Sequence, residues 1–241
     1  MPAQEVLVMA MTHMRSGICA AGFTTALDPV SGLRWVRPVK VHSTVRLGDM
    51  TDEAGRVVQC NDVVELELVR PCPQPPHTED VLTDFVYHRP TLLRRLQGER
   101  RQRFFAAHLD KSPEDVLVHQ SRSLCLVHPD EVWASFTLDP ISERYRARIG
   151  FRLGDVRHQR ANSRRGVPVT DLKWRALGRK WICESPAELE LEGHSLAKRL
   201  NAERIYLGLG LSRGYDGRYW LMVVGVHVVP DYDVTIDFGN P

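Results

Sequence analysis

Apolar and polar positions alternate with a period of two along much of this chain. Over 63–69, Val64, Leu66 and Leu68 fall on one face and Glu65 and Glu67 on the other, which predicts a half-buried strand. Over 145–153, Tyr145, Ala147, Ile149 and Phe151 oppose Arg144, Arg146, Arg148 and Arg152, a strand with a core face and an arginine face. Shorter apolar or alternating runs at 6–11, 18–23, 39–47, 57–60, 124–127, 132–138, 205–211 and 220–229 read as strands too. Their boundaries are turn chemistry: Asp28-Pro29 with Gly32, Gly48-Asp49, Gly55, and the stretch from Ser212 to Arg218. The run 18–23, the turn through Gly32 and a strand entered at Trp35 form a predicted hairpin. The proline-rich stretch from Pro71 to Pro76 cannot donate to a ladder and marks an exit from the first sheet.

Helical periodicity is rarer. Leu92, Leu93, Leu96, Phe104 and Phe105 form a stripe over 92–109, interrupted by Gly98. Ser112-Pro113-Glu114-Asp115 has the form of a helix start, and Thr170 or Asp171 can cap a short helix through Leu177. Over 186–200, leucines suggest partial helix broken at Gly193. Five strands with Gly-rich turns in the first 70 residues suit a small closed barrel of the OB kind. The expected fold is therefore mainly β with a helical insertion: two OB-like β-barrels joined by a helical, Arg-rich middle. The expected division is 1–88 for the first barrel, 89–130 for the insertion, and 131–241 for the second barrel with a basic loop at 155–166.

Composition narrows the class. A chain of 241 residues with 43% hydrophobic and 26% charged residues is ordinary for a soluble protein. No apolar run approaches the ~20 residues that cross a bilayer, so no membrane partner is expected. Residues 1–17 lack a basic n-region and an extended apolar segment. Five cysteines with no Cys-x-x-Cys pair point to a reducing, cytoplasmic setting.

Charge is distributed unevenly although the total is only +2. Residues 1–88 carry 7 Lys+Arg against 11 Asp+Glu, 89–180 carry 20 against 10, and 181–241 carry 5 against 9. A basic middle between acidic ends suits a polyanion-binding surface. It includes Arg146 and Arg148 on the predicted strand, and Arg157, Arg160, Arg164 and Arg165 in the loop. Aromatics lie among the basic residues: Trp35 with Arg15, Arg34, Arg37 and Lys40, Trp174 with Lys173 and Arg175, and Tyr215 with Arg213 and Arg218. Such pairs can stack on bases while the cations meet phosphates. Arg37, before Pro38, can instead pair with an acid at a barrel junction. Trp220 heads an apolar strand and is expected in the core.

These residues carry a family resemblance. Val6 to Ala10, His13 to Gly17, Cys19-Ala20-Ala21-Gly22 and Trp35-Val36-Arg37-Pro38 resemble the first signature of the dual OB-containing domain family. One additional alanine stands between Cys19 and Gly22. Val169-Thr170-Asp171 followed by Trp174, and Gly210-Leu211-Ser212-Arg213 leading to Trp220, resemble its later signatures. The resemblance implies two OB-type barrels and binding of nucleic acid, and it implies no reaction.

Enzymatic signatures are missing: there is no phosphate-binding loop of P-loop spacing, no GxSxG and no HExxH. His119, Cys125 and His128 have zinc-ligand chemistry but not the spacing of a common zinc site. No cofactor or metal is expected. The expectation is a protein that binds single-stranded DNA or RNA, with a protein partner on one barrel face also in view. The alternatives are a metal-dependent nuclease working through Asp171 or Asp231 and Asp233, and a nucleotide-sensing or protein-interaction module.

Overall fold

The computed structural model describes residues 3–14, 16–28, 32–158, 166–183, 188–214 and 216–239. At 46% strand and 18% helix, the fold is mainly β. The first sheet holds seven strands: β1 (Gln4–Met14), β2 (Gly17–Asp28), β3 (Gly32–Val39), β4 (Asp62–Leu66), β5 (Leu68–Pro71), β6 (Asp80–Thr83) and β7 (Thr91–Arg95). Their order is β5-β6-β3-β2-β1-β4-β7, antiparallel except that β6 runs parallel to β3. The sheet curls as a half-barrel with two edges. Inside the curl, Val6, Val8, Met11, Ile18, Ala20, Val36 and Val64 form one core. A register shift between Val8 and Ala10 moves the inward phase from even to odd positions, so Met11 still faces the core. Gly22 sits opposite that shift. A Cβ there would stand 2.2 Å from the Leu7 carbonyl oxygen, so only glycine lets β2 come so close to β1.

Three expectations change here. Residues 39–47 are not a strand: Val45 makes a single bridge to Ile18, and Leu47–Met50 form a short 3-10 turn. Val45, Leu47, Met50 and Val58 close one end of the core, so their apolar spacing serves a plug. The proline stretch is a loop within the first sheet, because β6 returns beside β5 after a turn bridged by Gln74 and His77. The stripe at 92–109 is a strand and then a helix. Leu92 pairs with Val64, Arg95 is held by the buried carboxylate of Asp62, and Gly98 at φ +56° opens α1 (Gly98–Ala107).

After α1 and the single turn α2 (Glu114–Leu117) come β8 (Leu124–Val127), β9 (Glu131–Leu138), β10 (Tyr145–Leu153), β11 (Val156–His158) and β12 (Val167–Pro168). The chain continues through α3 (Leu172–Cys183), β13 (Glu188–Leu191), α4 (Gly193–Leu200), β14 (Arg204–Leu211) and β15 (Leu221–Val229). Strands β11-β10-β9-β13, with β12 also on β10, make a second sheet, and β15-β14-β8 make a third. The two enclose a core of Phe136, Ile149, Phe151, Trp174, Trp181, Leu207, Leu209 and Val226, closed by α3 and α4. The helical middle is thus minor. Within 89–130, β7 pairs with β4 and β8 pairs with β14, so the stretch gives a strand to each half.

The halves meet face to face. The outer face of the first sheet presents Leu7, Met9, Phe23 and Val63, which pack on Leu126, Tyr206 and Val229 with Phe105 of α1. Beside them Ala10 and Ala21 meet Leu124 and Val224. Asp171 ties the joint. It bridges Thr12 of β1 and precedes α3, where one carboxylate oxygen accepts from the Trp174 N–H at 3.1 Å. The other accepts from the Val226 N–H at 2.6 Å.

Candidate nucleic-acid interface

The outer face of the second sheet follows from the alternation in β10. Ala147, Ile149 and Phe151 are buried, with Tyr145 packed against the same core, while Arg146, Arg148 and Arg152 turn outward. Across the ladder, Arg146 pairs with Thr137, Arg148 with Ser135, Gly150 with Trp133, and Arg152 with Glu131. Trp133 therefore belongs to the outer face. A Cβ on Gly150 would lie 2.1 Å from the Trp133 ring, so the indole lies directly over the glycine, half-buried against the sheet. The Arg157 guanidinium stands 5.8 Å from the indole centroid.

Hydrogen bonds and ion pairs orient these cations. Arg148 donates to the Gly166 carbonyl at 3.0 Å, Arg152 to the Gly154 carbonyl at 3.0 Å, and Glu131 lies 3.4 Å from Arg157 and 3.6 Å from Arg152. His158 pairs with Phe151 of β10, and Gly166 abuts the Ile149 carbonyl; the basic residues between them lie outside the described residues. An aromatic ring seated on a sheet and edged by arginines can hold a base and the phosphates beside it.

The other expected residues fall into three groups. Arg34 and Arg218 are exposed. Trp35 is half-buried, its ring 4.1 Å from Phe23. Others are committed inside the protein. Trp174 is fully buried, 5.6 Å from Phe136, and serves the core. Lys173 is buried, donates to Asp231 at 2.8 Å and lies over the Tyr232 ring. Lys40 is held by Asp49 at 3.0 Å. Arg37 is buried, its Nε donating to Asp80 at 2.6 Å and its Nη2 lying 3.3 Å from Glu79. The third group, Arg15, Arg160, Arg164, Arg165 and Tyr215, lies outside the described residues. Arg175 stays half-buried, its guanidinium 5.0 Å from the Tyr145 ring.

The Arg37 cluster is a polar seam at the edge of the apolar joint. Arg213 joins it at 2.9 Å from Asp80, and Ser123 donates to Glu79. His77 contacts the Ser212 carbonyl at 3.1 Å. Burial alone would raise the Glu79 carboxyl, but the His77 ring, the Arg37 charge and the Ser123 hydroxyl outweigh it and hold it below its usual range.

Two carboxylates named for a metal-dependent nuclease are engaged elsewhere: Asp231 with Lys173, and Asp171 with two backbone amides. Among the described residues, no three of His, Cys, Asp and Glu gather in a way that could hold a metal ion. Two aromatics were misjudged from sequence. Trp220 is 56% exposed, in line beyond Met222 and Val224, contrary to its expected core role. Trp133 escaped notice although period two places it with Ser135 and Thr137 on the outer face.

Two cores, a curled seven-stranded sheet and an open aromatic–arginine face define a two-barrel β protein of OB type. The family model for the dual OB-containing domain matches residues 4–226, and the chain belongs to that family. A search of curated proteins and a search of solved structures each gave no match.

Proposed function

We propose that this protein binds single-stranded nucleic acid, DNA or RNA, on the outer face of β9, β10 and β11. The observation that carries the reading is Trp133 spread over Gly150, with the Arg157 guanidinium over its ring and Arg146 and Arg148 along the same face. His158 and Gly166, which flank the Arg-rich segment 159–165, both adjoin β10, which supports a role for Arg160, Arg164 and Arg165 in phosphate contact. Arg34, Trp35, Arg218 and Trp220 are exposed or half-buried elsewhere and are offered as further individual contacts. No described helix is long and apolar enough to cross a membrane, and the five cysteines are unpaired, in keeping with a cytoplasmic place.

The test is fluorescence anisotropy with labelled dT15, the matching RNA and a duplex of equal length, across a salt series. Single strands bind more tightly than duplex, with log K falling linearly against log salt. Trp133→Ala weakens binding by the loss of one stacked base, about 1–3 kcal/mol, and leaves the salt slope unchanged. No binding at low salt, or equal affinity of wild type and Trp133→Ala, overturns the reading.

A further inference from the structure

On α3, close to β1, Arg175 and Arg179 come together over one aromatic ring. Arg175 and Arg179 are one helical turn apart, and their guanidinium carbons stand 5.0 and 5.2 Å from the Tyr145 centroid. Like charges at this spacing repel along a helix. The ring is fixed by two features. Its hydroxyl donates to the Arg175 carbonyl at 3.0 Å, and Gly178 leaves it room, since a Cβ there would lie 2.3 Å from the Tyr145 hydroxyl oxygen. Burial pushes that hydroxyl well up, so Tyr145 stays neutral and offers the arginines a π-face but no counter-charge.

Arg175 has no carboxylate partner among the described residues, and its Nε is buried with no hydrogen-bond acceptor. A buried donor left without an acceptor is costly and marks a place for one to arrive. His13, on the neighbouring β1, is exposed. Burial, and then Arg175 and Arg179, hold its ring below the usual range, so at neutral pH it adds no third positive charge.

We infer that Arg175 and Arg179 form a seat for a phosphate group at the joint between the barrels, with Tyr145 as its floor. The inference deepens the binding reading above and rests on it for its biological sense. Arg146 follows Tyr145 in β10 and faces outward while Tyr145 packs toward the core, so the seat and the Trp133 face lie on opposite sides of one strand and share its first end. The guanidinium fork suits phosphate oxygens, and the fixed ring preorganises it.

The experiment follows the arginine Nε–H cross-peaks of the full chain by NMR, with the Arg175 signal assigned by its loss in Arg175→Lys. Three probes are titrated: inorganic phosphate, pyrophosphate and dT15 with hydroxyl ends. A shift of the Arg175 peak with dT15 supports a seat for backbone phosphate, and a shift with phosphate or pyrophosphate alone supports a seat for free phosphate. Arg175→Gln with Arg179→Gln lowers the dT15 salt slope by about 0.7, the value for one phosphate contact, while Arg175→Lys keeps most of it. An Arg175 peak unmoved by all three probes overturns the seat, whatever Trp133→Ala does. An unchanged slope in the double variant while Trp133→Ala still weakens binding removes the seat and leaves the stacking face. A peak moved by pyrophosphate in a protein that binds no dT15 keeps the seat and removes the nucleic-acid reading.

Discussion

Asp171→Asn tests which of two opposed effects governs the joint between the barrels. The carboxyl is almost wholly buried, and burial pushes its pKa up from 3.8 to about 6, against the pull of the Trp174 and Val226 amides and the Lys173 charge. A carboxyl whose pKa rises on folding stabilises the folded state fully below about pH 4, and that contribution is lost as pH climbs through 6. A shift of about 2 units corresponds to about 3 kcal/mol. Asparagine does not titrate and has one carbonyl for two backbone donors, so one amide faces an NH₂ group at a cost of about 1–3 kcal/mol. Wild type should therefore exceed Asp171→Asn by that amount at pH 4, and the gap should close or reverse by pH 7. Urea unfolding of both proteins at half-unit steps from pH 4 to 7 measures it, because every other titrating group is common to the two. A gap that stays flat or widens with pH means the two amide hydrogen bonds outweigh burial, and the reasoning fails.

The other consequences concern the remaining buried groups. Arg37→Ala strips Glu79 of its guanidinium and leaves Asp80 with Arg213 alone, and should cost about 3–5 kcal/mol by urea midpoint; a loss under 1 kcal/mol would show that the seam is solvated. Trp174→Ala empties a fully buried site in the second core and should cost about 3–5 kcal/mol, whereas Trp220→Ala, at a ring 56% exposed, should stay within about 0.5 kcal/mol. Thermal melts of the two tryptophan variants that differ by less than a few degrees would contradict these placements. Gly150→Val puts a side chain where the Trp133 indole lies and should lift the ring from the sheet, shifting tryptophan emission to the red and weakening dT15 binding together.

Period two was a dependable guide where a strand has one wet face. The segment 145–153 has the inside and outside that its alternation requires, and 63–69 is strand except for a break at Glu67. The guide failed where apolar spacing serves closure of a core end. Val45, Leu47 and Met50 are spaced almost like a strand, but they plug a barrel around a 3-10 turn. It failed again at 92–95, where a leucine stripe suited to a helix is claimed by the ladder to β4, because pairing Leu92 with Val64 and Arg95 with Asp62 satisfies both the core and a buried charge. Segment 188–191 was hidden for a similar reason: Leu189 and Leu191 continue the β9 ladder before α4 begins at Gly193. These outcomes depend on partners more than 20 residues away, which no local window contains.

Charge was the least readable feature, and the reason is physical. An arginine beside a tryptophan has the same local pattern whether it meets a phosphate or a carboxylate, and only the fold supplies the carboxylate. The Trp35-Val36-Arg37-Pro38 close, which carried the family resemblance, illustrates this. Where β3 runs parallel to β6, Arg37 comes into register with Asp80, and the loop before β6 delivers His77 and Glu79 to the same seam. The second hairpin then brings Arg213 to Asp80 from the other barrel. Arg37 and Arg213 from the two signature-like turns thus share a carboxylate across the joint, so these turns report on how the barrels are held together. The proposed binding face is one where arginines alternate along a strand without being drawn into the joint. The outer face of β10 beside Trp133 meets that condition; period two pointed to its arginines, Arg146 and Arg148, and missed Trp133 beside them.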